Sequence, residues 1–155
     1  MFYGDRVEPL FPAEPVEMIW EDLKAITVGQ FDSWAREDIW KGFELFCLEL
    51  SRLGLTADIY VDGSFVTWQK NPSDIDFTVV VRMPPSNYQI EQRAGLTRLS
   101  HDRDHWKRRH RCDFLLLVEH ASGPNLLRTI DQQLNWYAYN EFGLPKRSVL
   151  LRLPR

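Results

Sequence analysis

The chain has 155 residues, of which 44% are hydrophobic and 13% aromatic, and its formal net charge is −3. This length favours one domain that buries its own core, and the composition excludes a disordered chain. The small negative charge excludes a protein that binds nucleic acid over its whole surface, so such binding would need a local basic patch.

Three further features predict a cytoplasmic protein without membrane contact. No segment approaches the roughly 20 consecutive apolar residues of a membrane span. Residues 1–8 lack the apolar core of a signal peptide. The two cysteines, Cys47 and Cys112, are too few for a disulfide scaffold and lack metal-site spacing, which indicates buried thiols in a reducing compartment.

The N-terminal residues 1–16 contain three prolines and little periodicity, which predicts an extended arm. We expect residues 17–155 to form a single domain. Its clearest helix covers 31–53, where apolar residues recur every three to four positions. The arm and the domain are therefore predicted to differ in local structure.

Both ends of this helix carry typical signals. Asp32 or Ser33 is placed to cap its start, and Gly54 is placed to end it. Trp34 and Trp40 are expected to widen the apolar face of the helix.

Further elements alternate along the rest of the chain. Apolar and β-branched runs predict strands at 57–61, 75–82, 112–118 and 148–153, the last at a sheet edge. Weaker periodicity predicts one or two helices within 87–110, and a stronger pattern predicts another helix at 125–140. This order predicts an α/β (α+β) fold, in which helices flank a small mixed β-sheet.

Two aspartates lie at the start of the best strand. Side chains alternate along a strand, so Asp74 and Asp76 should point to the same face, with Cα atoms about 6.5–7 Å apart. Two such charges are costly to bury unless they bind a cation. Mg²⁺ prefers carboxylate oxygens, and the pair therefore predicts a metal site.

A third carboxylate, Asp113, lies at the start of the next apolar strand. If the two strands are neighbours, three carboxylates converge, as a two-metal phosphoryl-transfer site requires. Taken alone, Asp113 could instead pair with Arg109 or Arg111. Earlier in the chain, Gly63 and Ser64 follow a strand directly, and such a pair can bring backbone N–H groups and a hydroxyl to a phosphate.

The stretches Val61-Asp62-Gly63-Ser64-Phe65, Ser73-Asp74-Ile75-Asp76-Phe77 and Cys112-Asp113-Phe114 together resemble the signature of polymerase-beta-type nucleotidyltransferases. The chain looks similar to a small bacterial or phage branch of that superfamily, which includes minimal nucleotidyltransferases and antitoxins that modify partner toxins. The resemblance covers about residues 57–118 and implies the same fold.

The resemblance also implies roles for individual residues. Gly63 and Ser64 would contact the triphosphate, and Asp74 and Asp76 would hold Mg²⁺ or Mn²⁺. Asp113 would be the third metal ligand or would help to deprotonate the acceptor hydroxyl.

The sequence departs from the family pattern at three points. The loop 65–73, between Ser64 and Asp74, differs slightly in length from that of the antitoxins. Many small relatives carry an arginine soon after Gly-Ser, whereas this chain has Phe65, and Lys70 is a candidate to supply the positive charge to the nucleotide. No C-terminal helical bundle is evident, so an acceptor-binding domain would be missing or supplied by a partner. A basic run at 107–111 indicates either phosphate or nucleic-acid contact, or a solvated helix end.

Two functions are compatible with these patterns. The first is a metal-dependent nucleotidyltransferase that moves a nucleoside monophosphate from a nucleoside triphosphate to a hydroxyl of a protein, an RNA or a small molecule. The second is a non-catalytic nucleotide-binding or antitoxin-like module that acts through a toxin-like partner protein. A homo-oligomer is compatible with either function.

Overall fold

The computed structural model describes residues 8–11, 16–82, 89–119 and 149–154. The helices are α1 (Trp20–Lys24), α2 (Trp34–Arg52), α3 (Gln89–His101) and α4 (Arg103–His110). The strands are β1 (Val16–Glu17), β2 (Thr56–Asp62), β3 (Ile75–Arg82), β4 (Cys112–Glu119) and β5 (Val149–Leu153). The predicted class, helices around a small mixed sheet, is confirmed. The predicted helix 125–140 lies outside the described residues.

The five strands form one sheet in the order β1-β5-β2-β3-β4. The central strands β2 and β3 are antiparallel, whereas β3 and β4 are parallel. The prediction that the last strand lies at an edge was wrong. Val16 and Glu17 pair with β5 on the side away from β2, and β1 was missed because two residues carry no periodic signal.

The apolar face of α2 packs on the sheet through aromatic rings. Phe46 lies 4.9 Å from Phe77 of β3 and 4.6 Å from Phe114 of β4, measured between ring centroids. Trp40 is buried as expected, but Trp34 is 69% exposed, so the prediction that Trp34 widens the apolar face was wrong. At the first residue of α2, the Trp34 ring contacts the guanidinium of Arg111 and not the core.

The ends of α2 agree with their sequence signals, although residues 31–33 precede the helix. The Ser33 hydroxyl oxygen accepts a hydrogen bond from the Arg36 backbone N–H at 3.2 Å. After the helix, Gly54 has a φ of +69°, which an L-residue rarely adopts. Two helices, α3 and α4, occupy the region where one or two were predicted.

The N-terminal segment 8–11 contacts the loop that follows β2. The Leu10 N–H donates to the Val66 carbonyl at 3.0 Å, and the Trp68 N–H donates to the Glu8 carbonyl at 2.9 Å. Phe11 is buried. Among the described residues, none of the helices has the length and apolar character needed to cross a membrane.

The side chain of Arg36 is fully buried and fastens this loop to α2. Its guanidinium donates to the Thr27 and Phe65 carbonyls at 2.8 and 2.7 Å, to the Thr67 carbonyl at 2.6 Å, and to the Gln69 carbonyl through two of its nitrogens. Burial lowers the pKa of Arg36 to about 10, so the group stays cationic at neutral pH. The carbonyls satisfy the donors of the buried cation.

We expect Arg36→Met to lower the free energy of unfolding by at least about 3 kcal/mol, because it leaves several buried carbonyls without a donor. Urea denaturation measures the loss. Arg52→Met is the matched control, since Arg52 forms an exposed pair with Glu49 at 2.7 Å and should contribute less than about 1 kcal/mol. Equal losses in the two variants would contradict this role for Arg36.

Candidate functional site

The pairing of the central strands brings the predicted aspartates together. In the parallel pair of β3 and β4, Asp76 lies opposite Asp113 and Ile75 lies opposite Cys112. Asp74 precedes the first residue of β3. The alternate side chains Ile75 and Phe77 are buried, so the aspartates face away from the core that α2 covers.

Asp74, Asp76 and Asp113 form the acidic site. One carboxylate oxygen from each residue lies within 4.8 Å of those from the other two, and all three side chains are partly exposed. In the part of the chain that the structure describes, no other group of three or more potential metal ligands comes as close. The convergence that the sequence left conditional on strand pairing therefore occurs.

The acidic site concentrates negative charge. Burial, together with the charges of Asp74, Asp62 and Asp113 and a hydrogen bond with Asp113, raises the pKa of Asp76 to about 7. Burial and the charge of Asp113 also raise the pKa of Asp74, although Lys107 opposes this shift. Without a bound cation, the site therefore favours a protonated carboxyl at its centre.

Asp62 is a fourth carboxylate that the sequence reasoning missed. It is the last residue of β2, it is buried, and it lies opposite Asp76 in the antiparallel pair of β2 and β3. Its position directly before Gly63 was visible in the sequence. Only the register of the two strands, however, places it beside Asp76.

Gly63 lies directly against the acidic site. Its φ of +75° and ψ of −161° belong to a region that is essentially restricted to glycine. A Cβ atom at this position would collide with Oδ2 of Asp76. The glycine thus lets the backbone approach the carboxylate, and Ser64–Val66 continues as one turn of 3₁₀ helix.

Lys70, which the sequence suggested as a cation for nucleotide binding, is exposed. Among the described residues, no ion pair joins Lys70 to the acidic site. Its assignment to nucleotide binding stays a prediction, as do those of Gly63 and Ser64.

Basic residues of α4 and Arg111, which follows the helix, pair with different carboxylates. Arg103 Nη2 and Lys107 Nζ lie 3.5 and 3.4 Å from the Asp113 carboxylate. Arg111 instead pairs with Asp38 at 3.3 Å, because its left-handed backbone, with a φ of +55°, leads the chain from α4 into β4. The alternative in which Asp113 pairs with Arg109 or Arg111 does not hold.

The ligand atoms of the acidic site fit a hard divalent cation. All three residues offer carboxylate oxygens, which Mg²⁺ and Mn²⁺ prefer over softer ligands. Burial and then the repulsion between the carboxylates raise the pKa of Asp76, and a bound cation would offset that repulsion. Both observations favour a metal site, and Asp74, Asp76 and Asp113 are the residues that would hold the ion.

We predict that the metal-free protein loses stability as the pH rises from about 4 to about 7. The folded pKa of Asp76 is about 7 against an ordinary value of 3.8, so the folded state binds the extra proton in this window and its advantage falls with rising pH. Asp76→Asn should flatten this dependence and raise the melting temperature at pH 8 by a few degrees, since 1 kcal/mol corresponds to roughly 2–4 °C at this size.

Calorimetry in the presence of a chelator measures both effects, and Asp22→Asn, an exposed position on α1, is the control. A wild-type profile that matches the Asp76→Asn profile between these pH values would contradict the prediction.

We also predict that Gly63→Ala displaces the Asp76 carboxylate and weakens metal binding by about tenfold or more. Gly54→Ala is the matched control, because Gly54 shares the positive φ but an added Cβ would meet no atom within 4 Å. Titration with Mn²⁺ should separate the variants: both lose some stability to backbone strain, but metal affinity falls in Gly63→Ala alone. A similar fall in Gly54→Ala would show that strain, and not the contact with Asp76, is responsible.

Comparison with known proteins gives a family but no named relative. A family model described as "Family of unknown function (DUF6932)" matches residues 6–146. No curated protein and no solved structure matches the chain. Because the family match spans most of the chain, including every residue of the acidic site, the protein belongs to the family of unknown function DUF6932.

Proposed function

We propose that the protein is a metal-dependent nucleotidyltransferase. The main support for the proposal is the convergence of Asp74, Asp76 and Asp113 on the side of the sheet opposite the core. Gly63 lies directly against one of them, Asp76. The order of Gly-Ser, Asp-x-Asp and a third aspartate on the next parallel strand supports the resemblance to polymerase-beta-type nucleotidyltransferases.

The reaction transfers a nucleoside monophosphate to an acceptor hydroxyl. The acceptor oxygen bonds to the α-phosphorus, the bond from that phosphorus to the bridging oxygen breaks, and pyrophosphate leaves. The hydroxyl proton passes to a carboxylate of the acidic site or to water. A bound Mg²⁺ or Mn²⁺ would neutralise the charge that develops on the phosphate oxygens.

The residues of the chain act mainly by positioning. Gly63 allows the triphosphate to lie close to the backbone, and Ser64 offers its hydroxyl and its backbone N–H at the start of a 3₁₀ turn. Asp74 and Asp76 hold the cation near these groups. The proposal places the enzyme in the cytoplasm, which is favoured by two buried cysteines that form no disulfide.

The alternative function is a nucleotide-binding module without turnover, which would act through a partner protein. It uses the same acidic site, so metal and nucleotide binding do not separate the two functions. Release of pyrophosphate separates them.

We expect the protein to bind a nucleoside triphosphate only with Mg²⁺ or Mn²⁺, and Asp74→Asn/Asp76→Asn to weaken this binding about 100-fold or more. Even residues that merely support metal ligands commonly account for 10–100-fold. Calorimetric titration of each of the four triphosphates measures binding and identifies the preferred base. Asp22→Asn, which removes an exposed charge outside the acidic site, should bind as the wild type does.

Pyrophosphate release is then measured with candidate hydroxyl acceptors, including the protein itself and RNA. Release that is lost in Asp74→Asn/Asp76→Asn supports the transferase. Metal-dependent binding without release from any acceptor favours the non-catalytic module. A folded wild-type protein that binds no triphosphate with metal would contradict both.

A further inference from the structure

Two cations of α4 face the acidic site together. Arg103 and Lys107 are four residues apart, which places them on the same face of the helix. Each lies within 3.5 Å of an oxygen of Asp113, and each side chain remains 54% exposed. Both groups can therefore reach a ligand in solvent without breaking any contact in the core.

The charges of the acidic site make these cations necessary for an anionic ligand. With one divalent cation bound, three ionised carboxylates still leave a net negative charge, which would repel a triphosphate. Arg103 and Lys107 add two positive charges beside Asp113, which offset this repulsion. Their loose, exposed pairs with Asp113 are weak contacts that exchange readily.

Other positions near Gly63 and Ser64 do not offer a cation in the same way. Where many small relatives of the resembled family carry an arginine, this chain has the buried Phe65, and the Arg36 guanidinium is bound by backbone carbonyls. Lys70 forms no ion pair with the acidic site in the described part of the chain. Among the described residues, the cations that pair with a carboxylate of the acidic site therefore come from α4.

We propose that Arg103 and Lys107 form a polyphosphate-binding subsite, which holds the phosphates that leave as pyrophosphate. This inference rests on the proposed function and adds the residues that bind the leaving group. In the free protein Asp113 keeps both side chains in place. With Asp113 engaged as a ligand of a metal ion, the two side chains would be free to bind the phosphate oxygens, and neither would transfer a proton.

A purely structural role predicts a different behaviour. If the two ion pairs only fasten α4 to β4, their removal should disturb Asp113 and weaken metal and phosphate binding alike. If the two cations compete with the metal for Asp113 and then bind phosphate, their removal should have opposite effects on the two ligands. The sign of the change in metal affinity thus separates the two roles.

The experiment uses the full chain and inorganic tripolyphosphate, which carries no base. Binding of Mn²⁺ alone is measured from the electron paramagnetic resonance of the free ion, and binding of tripolyphosphate to the Mn²⁺-saturated protein by calorimetry. The variants are Arg103→Met, Lys107→Met and the control Arg108→Met. Arg108 lies on the same helix, but its side chain donates to the Asp104 carbonyl and not to Asp113.

We expect Lys107→Met and Arg103→Met each to bind tripolyphosphate about tenfold more weakly, as the loss of a charge-assisted hydrogen bond predicts. Affinity for Mn²⁺ alone should rise, by up to about fivefold. Arg108→Met should stay within about twofold of the wild type in both measurements. Unchanged tripolyphosphate affinity in Lys107→Met and Arg103→Met, or a parallel fall for both ligands, would overturn the subsite.

Failure of the proposed function gives a separate result. If the wild type binds no Mn²⁺, the same titration is made with a chelator present. Tripolyphosphate binding that Lys107→Met weakens tenfold would then keep the anion subsite while the transferase fails. If the wild type binds no tripolyphosphate under that condition, the subsite fails as well.

Discussion

The geometry of the acidic site depends on the hydrogen bonds that the buried guanidinium of Arg36 donates to backbone carbonyls. Three of the four carbonyls that it binds belong to the segment 65–69, which links β2 to β3 and has no regular structure after its 3₁₀ turn. A side chain of α2 thereby fastens a loop that lies outside the five-stranded sheet. Gly63 lies two residues before this segment, so its close approach to Asp76 requires the loop to stay in place.

The strand β3 connects the site to the core, because its two faces have opposite roles. Phe77 packs against Phe43 and Phe46 of α2, with ring centroids 5.0 and 4.9 Å apart, while Asp76 points to the other side. A shift of the strand by one residue would move the carboxylate into the aromatic cluster and expose the ring. The packing of the aromatic core therefore sets the register that brings Asp76 opposite Asp113.

Patterns within single segments were sufficient to predict α2, the three strands that build the site and its three aspartates, since each depends on a spacing of a few residues. Asp62 and Arg36 were not identified as important, because their roles depend on strand register and on the packing of α2 against a distant loop. The pairing of Asp113 with α4 was missed for the same reason. Trp34 was misplaced because helical periodicity does not show that the first residue of the helix lies beside Arg111 and stays exposed.

Arg36 differs from Arg103 and Lys107 in how strongly its surroundings fix the side chain. Arg36 is fully buried, is bound by several carbonyls and contacts the rings of Phe31 and Phe65, so moving it would expose unsatisfied polar groups in the core. Arg103 and Lys107 pair with Asp113 at the surface, where an ion pair costs little to break. The buried cation is suited to hold the architecture, whereas the exposed pair can change partners. In the proposed function, Arg36 would hold the acidic site in place with or without a metal, and Arg103 and Lys107 would change partners when a metal binds.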